Sequence, residues 1–441
     1  MNSRILTFAL ALFATATAAA QETLTLTVEE AIRIGIENSK VLRQSADRVA
    51  YADARSGEAN ASALPSLKAA GSYTRLSEAP PFQIDNPLPS AGASKITLAP
   101  SVMNYYNLRV SLQHPLFTGF RLDATKEAAR ATAEATGQDY ARDRSDLVYN
   151  VTSAYWNLFR AREFKKLADE NVDQITSHLN DVKNLMDQGL ATTNDRLQAE
   201  VQLSDAQLGQ IDAVNNVRLA QIGLDNTLGI PLTIRVEIAS VITQAPQSPA
   251  SLDSLILRGI EARPELKGMD ARVKAGEAGV TAARSGWWPQ VFLTGNYYYA
   301  RPNTRIQPTQ DDFRKSWDLG LSFSIDLWNW GTTVHQTDQA QAQLAQARDA
   351  MGQMKDAVTL DITSAYLTLN QMRERIAAAK RGLARAEENY RVTNRRYKEG
   401  LVINSDMLGA EFALNQAKTT YTQSLVDFEL AGAHLARTLG E

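Results

Sequence analysis

Four segments of the chain alternate apolar and polar residues with period two. Across residues 107–113, Leu108, Val110 and Leu112 take one parity while Asn107, Arg109, Ser111 and Gln113 take the other. Across 317–327, Trp317, Leu319, Leu321, Phe323, Ile325 and Leu327 oppose Asp318, Gly320, Ser322, Ser324 and Asp326. Leu67, Ala69 and Tyr73 oppose Lys68, Ser72 and Thr74, and Val291, Leu293, Tyr297 and Tyr299 oppose Thr294, Asn296 and Tyr298. The pattern predicts strands at about 67–76, 105–115, 291–300 and 317–327. Elsewhere the period changes. Leu147, Val151, Ala154 and Leu158 form a coiled-coil seam, and Val358, Ile362, Ala365 and Leu369 repeat its spacing. No proline stands between Pro115 and Pro231 or after Pro308, so each seam belongs to an uninterrupted helix, at about 120–188 and 332–399. At 1.5 Å per residue each reaches roughly 100 Å. Gly189 and Gly400 then turn the chain into return helices at about 193–228 and 404–439.

The two seams coincide under a shift of 211 residues, which also carries Gly189-Leu190 onto Gly400-Leu401 and Ala199-Glu200 onto Ala410-Glu411. Nearer the start the shift is 224, matching Gly35-Ile36-Glu37 to Gly259-Ile260-Glu261 and Pro65 to Pro289. The change falls in a Pro/Ser/Ala-rich loop that is 13 residues longer in the first copy. Such ordered matches predict a tandem duplication, with repeats at 21–229 and 251–441 and a linker at 230–250. Each repeat opens with a short and a medium helix, the first announced by Thr27-Val28-Glu29-Glu30.

Residues 1–20 read as a signal peptide: Arg4, a short apolar run, then Ala18, Ala19 and Ala20. An exported chain without cysteine is held by packing alone. No later window is apolar and long enough for a transmembrane helix. A net charge of −3 gives no reason to expect nucleic acid as a partner. Strands of this length span a bilayer when tilted. Aromatics mark their ends: Tyr105, Tyr106 and Trp317 at the loop end, and Phe117, Trp287, Trp288, Trp328 and Trp330 at the helix end. Two aromatic girdles beside a small-polar face suit a transmembrane β-barrel, with lipid on the other face. Four strands cannot close one, and an open edge in lipid leaves backbone groups unpaired, so the subunit must oligomerise.

Catalysis finds no support. His114, His178, His335 and His434 are scattered without metal-ligand spacing, and no nucleophile elbow, P-loop or dinucleotide fingerprint occurs. No metal or cofactor is expected. A pore-less periplasmic coiled-coil stalk is the alternative, and the strand pattern counts against it.

The order of these elements resembles the TolC-like outer-membrane efflux and secretion factors across essentially the whole mature chain. The residues that carry the resemblance are Leu24-Thr25-Leu26-Thr27-Val28-Glu29-Glu30-Ala31, Leu64-Pro65-Ser66-Leu67, Pro115-Leu116-Phe117-Thr118-Gly119 and the turns at Gly189-Leu190 and Gly400-Leu401. The resemblance implies a mixed α and transmembrane β fold, in which a homotrimer shares a twelve-stranded barrel continued by a twelve-helix periplasmic tunnel. It implies an exit duct in the outer membrane that receives a periplasmic adaptor and an inner-membrane pump. It makes the turns the resting constriction, with Asp195, Asp406 and Tyr397 at the gate and Gly189, Leu190, Gly400 and Leu401 docking the adaptor; a capping role in the first turn of each return helix is the alternative for the two Asp residues. Gly409 and Val402 depart from the pattern, where some members carry an acid and a base.

Overall fold

The computed structural model describes residues 23–87, 94–99, 101–240, 242 and 251–441. The expected signal peptide at 1–20 lies outside them, as do residues 241 and 243–250 of the expected linker. The chain divides into two compact units. One comprises Met1–Arg43, Asp143–Ala262 and Val358–Glu441, and the other Gln44–Arg142 and Arg263–Ala357. Among the described residues no helix is long and apolar enough to cross a membrane.

The elements run β1 (Thr23–Leu26), α1 (Val28–Asn38), α2 (Lys40–Ala61), β2 (Ser66–Arg75), β3 (Phe82–Asp85), β4 (Lys95–Ala99), β5 (Asn104–Thr118), α3 (Arg121–Asp187) and α4 (Thr193–Leu228). Then follow β6 (Arg235–Ile238), α5 (Leu252–Ala262), α6 (Pro264–Arg284), β7 (Gln290–Arg301), β8 (Arg314–Ser324), α7 (Thr332–Lys398) and α8 (Asn404–Thr438). Helices α3 and α7 are each 67 residues long, which the absence of proline permits. Thr27 and Glu30 close a reciprocal capping box at the start of α1.

The second unit holds an antiparallel sheet of order β2-β5-β7-β8. Its register lines up ranks across all four strands. Leu67, Leu112, Gly295 and Leu319 form one rank, and Ala69, Val110, Tyr297 and Trp317 the next on the same face. Lys68, Ser111, Asn296 and Asp318 form a rank on the opposite face, where Asn296 Nδ2 donates to Asp318 Oδ1 at 2.8 Å. Among the described residues nothing covers the apolar face: Leu67 and Trp317 are each 71% exposed and Leu321 70%.

In the second unit the structure departs from the sequence expectation at three strand boundaries and loops. Strand β8 ends at Ser324, short of 327, and Ile325 and Leu327 lie in the connection to α7, where Trp330 and Gly331 both take positive φ. Strand β5 runs on to Thr118 through Pro115, because a bulge between Pro115 and Phe117 absorbs the missing N–H. The long first-copy loop contains an antiparallel hairpin, β3 with β4.

In the first unit, β1 pairs in parallel with β6, so residues 235–238 of the expected linker are strand. Tyr155 of α3 fastens this ribbon. Its hydroxyl donates to Leu26 O at 2.9 Å, and accepts from Ser240 Oγ at 2.8 Å and from Ser240 N at 3.1 Å. The core beneath contains Val151, Leu158, Leu224, Leu228 and Val236, all fully buried. In Tyr155→Phe the ring keeps its packing and the hydroxyl bonds go, at a cost of about 1–3 kcal/mol. The check is amide hydrogen exchange at residues 235–240, which should accelerate while the rest of the core holds.

Candidate functional site

The two helical turns at Gly189 and Gly400 are built alike. Gly189 takes φ +74° and Gly400 φ +71°, a region open to glycine at no steric cost. Gly189 N donates to Met186 O at 2.9 Å and Leu190 N to Leu185 O at 2.8 Å; Gly400 N donates to Tyr397 O at 2.9 Å and Leu401 N to Arg396 O at 2.8 Å. These paired bonds make a Schellman motif that satisfies the last carbonyls of α3 and α7. Leu190 and Leu401 follow, 68% and 62% exposed.

The helices that leave the turns start differently. Thr192 caps α4: its Oγ1 accepts from Asp195 N at 3.2 Å, while Asp195 Oδ2 accepts from Thr192 N at 2.8 Å and from Thr192 Oγ1 at 2.7 Å. Asp195 is therefore half of a capping box. At α8 the equivalent cap position is Ile403, which has no side-chain acceptor, and Asp406 stands exposed in the first turn. There Asn404 holds the start of the helix. Its Nδ2 donates to Gln198 Oε1 at 3.2 Å and to Asp195 O at 3.4 Å, and its Oδ1 lies 2.9 Å from His178 Nε2.

Tyr397 is 4% exposed, in a core with Leu179, Val182, Ala199 and Met407. Its ring lies 5.2 Å from that of His178. Burial first, and then the negative charges of Asp195, Asp181 and Glu411, push its hydroxyl up to about 12. The structure thus brings Tyr397 and Asp195 into one electrostatic neighbourhood, while the carboxylate of Asp195 bonds to Thr192. His178 and Glu411 belong to this neighbourhood too, and their burial has no mark in the local sequence.

In the second unit the aromatic residues gather at both ends of the sheet. Tyr106 shares the apolar parity of Leu108 and lies tilted at 4.9 Å from Tyr73 and 5.7 Å from Phe313, which stacks on Tyr299 at 5.1 Å. Trp317 sits opposite Tyr297 on that face. Tyr105 takes the other parity, beside Asn107 and Arg109, so its place on the apolar belt is corrected. Tyr73, Tyr299 and Phe313 join that belt instead; strand parity already put Tyr73 and Tyr299 on the apolar face, whereas Phe313 precedes its strand. At the helix end Phe117 meets Phe120 at 5.3 Å, Phe120 meets Trp288 at 5.6 Å, and Trp328 meets Trp330 at 5.7 Å. Trp287, Trp288, Trp328 and Trp330 are all exposed, as is Phe120, which the strand pattern does not reveal.

The profile of the family described as "Outer membrane efflux protein" matches residues 31–230 and 255–441. The chain belongs to that family. Like other outer membrane efflux proteins, it is a conduit of an efflux or secretion system, placed in the outer membrane and extending into the periplasm. It is 25% identical to the Outer membrane efflux protein BepC of Brucella suis over 316 residues, 70% of this chain and 68% of BepC. It is 22% identical to the Outer membrane protein TolC of Escherichia coli over 418 residues, 92% of this chain and 80% of that one. Among solved structures, CusC superposes with TM-score 0.78 at 20% identity, covering 93% of this chain and 91% of that one. The open-state MtrE channel of Neisseria gonorrhoeae superposes with TM-score 0.78 at 19% identity, covering 94% and 88%. This chain shares their fold and is mostly helical with few strands.

Proposed function

We propose that three copies of the chain close one twelve-stranded barrel, continued by a twelve-helix tunnel, and pass substrates from a periplasmic adaptor and an inner-membrane pump to the exterior. In this reading residues 1–20 are a removed signal peptide, and 21–229 and 251–441 are two copies of one repeat. The reading rests on one observation: strands β2 and β8 are the unpaired edges of a sheet whose apolar face is bare. Each edge group left unpaired in hydrocarbon costs several kcal/mol, and pairing β8 of one copy with β2 of the next removes every edge. Tyr106, Phe117, Trp287, Trp288, Trp317, Trp328 and Trp330 then meet the lipid interfaces.

The turns at the far ends of α3 and α7 form the resting constriction, narrowed by Asp195, Asp406 and Tyr397. Crowded carboxylates near a pore axis favour cations. Leu190 and Leu401 dock the adaptor. The duct is passive, and its partner pump supplies the energy.

Planar-bilayer recording of the purified trimer tests the reading. Asp195→Ala is expected to raise single-channel conductance by about twofold or more, since in this reading Asp195 and Tyr397 hold part of the latch that keeps the constriction narrow. That substitution also weakens the α4 cap, so Thr192→Ala serves as the control that loosens the cap and keeps the charge. Equal conductance in both variants would assign the effect to capping. A chain that purifies as a water-soluble monomer would end the channel reading.

A further inference from the structure

Glu411 of α8 is 3% exposed, and neither of its carboxylate oxygens has a hydrogen-bond partner among the described residues. The groups that face it are Gln174 and Asp181 of α3 and Tyr390 and Tyr397 of α7. The buried amide Nε2 of Gln174 is the one polar neighbour that favours the charged form of Glu411, and it falls short of a well-formed hydrogen bond. No basic side chain acts on Glu411, and Lys398 is engaged with Asp181 at 3.4 Å. One turn beyond Gln174 on α3 lies His178, also 3% exposed. It faces Asp181 on its own helix, Tyr397 on α7 and Asn404 on α8, which in turn is tied to Gln198 and the backbone of Asp195 on α4. A buried carboxyl and a buried imidazole thus brace the same packed turns, in one core, from different helices.

We propose that His178 and Glu411 are compensating proton sites, both neutral in the packed tip and both ionised when it opens, so that tip packing hardly varies across mildly acidic pH. This rests on the turns being the part of the conduit that moves. The signs follow from burial. Glu411 is pushed by burial up to about 7, opposed by Gln174 and aided by Asp181. A carboxyl held neutral weakens the packed state as pH climbs above its ordinary 4.5, until it ionises in place near 7. His178 is pushed below its ordinary 6.5 by burial, opposed by the Asn404 bond and Asp181. It weakens the packed state as pH falls below 6.5, because an exposed imidazole would take the proton. Between 4.5 and 6.5 the two slopes oppose each other for as long as the buried imidazole stays neutral. Opening then releases one proton from Glu411 and binds one at His178, with no net exchange with solvent.

Hydrogen exchange of the amides of residues 397–411 in detergent, expressed as protection factors, reads tip packing whether or not a pore forms. A failed pair and a failed conduit are therefore told apart. In the wild type, protection should stay constant within about threefold from about pH 5 to 6.5. In His178→Gln it should fall as pH rises, by up to about tenfold per unit, the signature of one proton. In Glu411→Gln it should fall by a similar factor as pH drops, and the double variant should be flat. A wild type that slopes like either single variant, or single variants as flat as the wild type, overturns the proposal. Should a single variant hold no tip structure, NMR titration of the wild-type histidines decides: His178 titrating at or above 6.5 overturns it, and a value below supports it.

Discussion

Replacing Leu190 and Leu401 together with Asp is expected to abolish export and to leave the folded protein in place. Both side chains stand exposed beyond turns whose backbone bonds are made by Gly189, Leu190, Gly400 and Leu401 through their amides alone. A side chain that no neighbour in the subunit buries contributes little to stability, and surface changes of this kind stay within about 0.5 kcal/mol. An apolar residue held in water on a rigid turn suits an apolar anchor pocket, and two carboxylates entering such a pocket would be desolvated unpaired. Substrate retained in cells reads the loss, with immunoblotting of outer-membrane fractions as the control. Export at wild-type level, with the variant present in normal amount, would remove the turns from adaptor docking.

Gly119→Val should cost the most stability of any single change considered. Gly119 joins β5 to α3 at φ +63°, where an L side chain is strained by about 1–2 kcal/mol. A Cβ there would lie 2.6 Å from Ser285 O and 2.8 Å from Trp288 Cβ, and forcing those apart adds about 1–3 kcal/mol. Phe120 beside it already takes φ 67°, so the corner has little room to adjust. The thermal midpoint should drop by roughly 5–15 °C, with less protein reaching the membrane. Gly352→Ala is the contrasting change, because Gly352 lies inside α7 with nothing within 4 Å of a built Cβ. It should gain up to about 1 kcal/mol from helix propensity. An equal loss in both would mean that glycine content, and not the corner, limits stability.

The long helices were legible because proline is so strong a breaker that its absence over a hundred residues carries information, and the seams at Val151 and Ile362 are indeed fully buried. Strand parity was legible for the same reason: one face must be apolar throughout. The pairing of β1 with β6 was not, since Thr23 and Arg235 are brought together by the fold and neither segment exceeds four residues. The β3–β4 hairpin is masked in the sequence because its short alternation is embedded among prolines. At the tip, the glycine turns announced themselves, while Glu411 did not. Its counterpart Glu200 faces Arg196 at 3.5 Å in partial exposure, and nothing local tells the two apart. Which side of a helix meets a neighbour is a tertiary fact. The same limit applies to His178, whose partner Asn404 lies on another helix.

The parallel ribbon has a temporal implication. A polypeptide threaded across a membrane N-terminus first delivers Thr23–Leu26 early, yet its mate Arg235–Ile238 arrives only after the whole first hairpin of long helices. Until then the leading segment has no ladder to join, and the partners awaiting the Tyr155 hydroxyl are incomplete. The ribbon therefore closes only once residues 235–238 have followed the leading strand across.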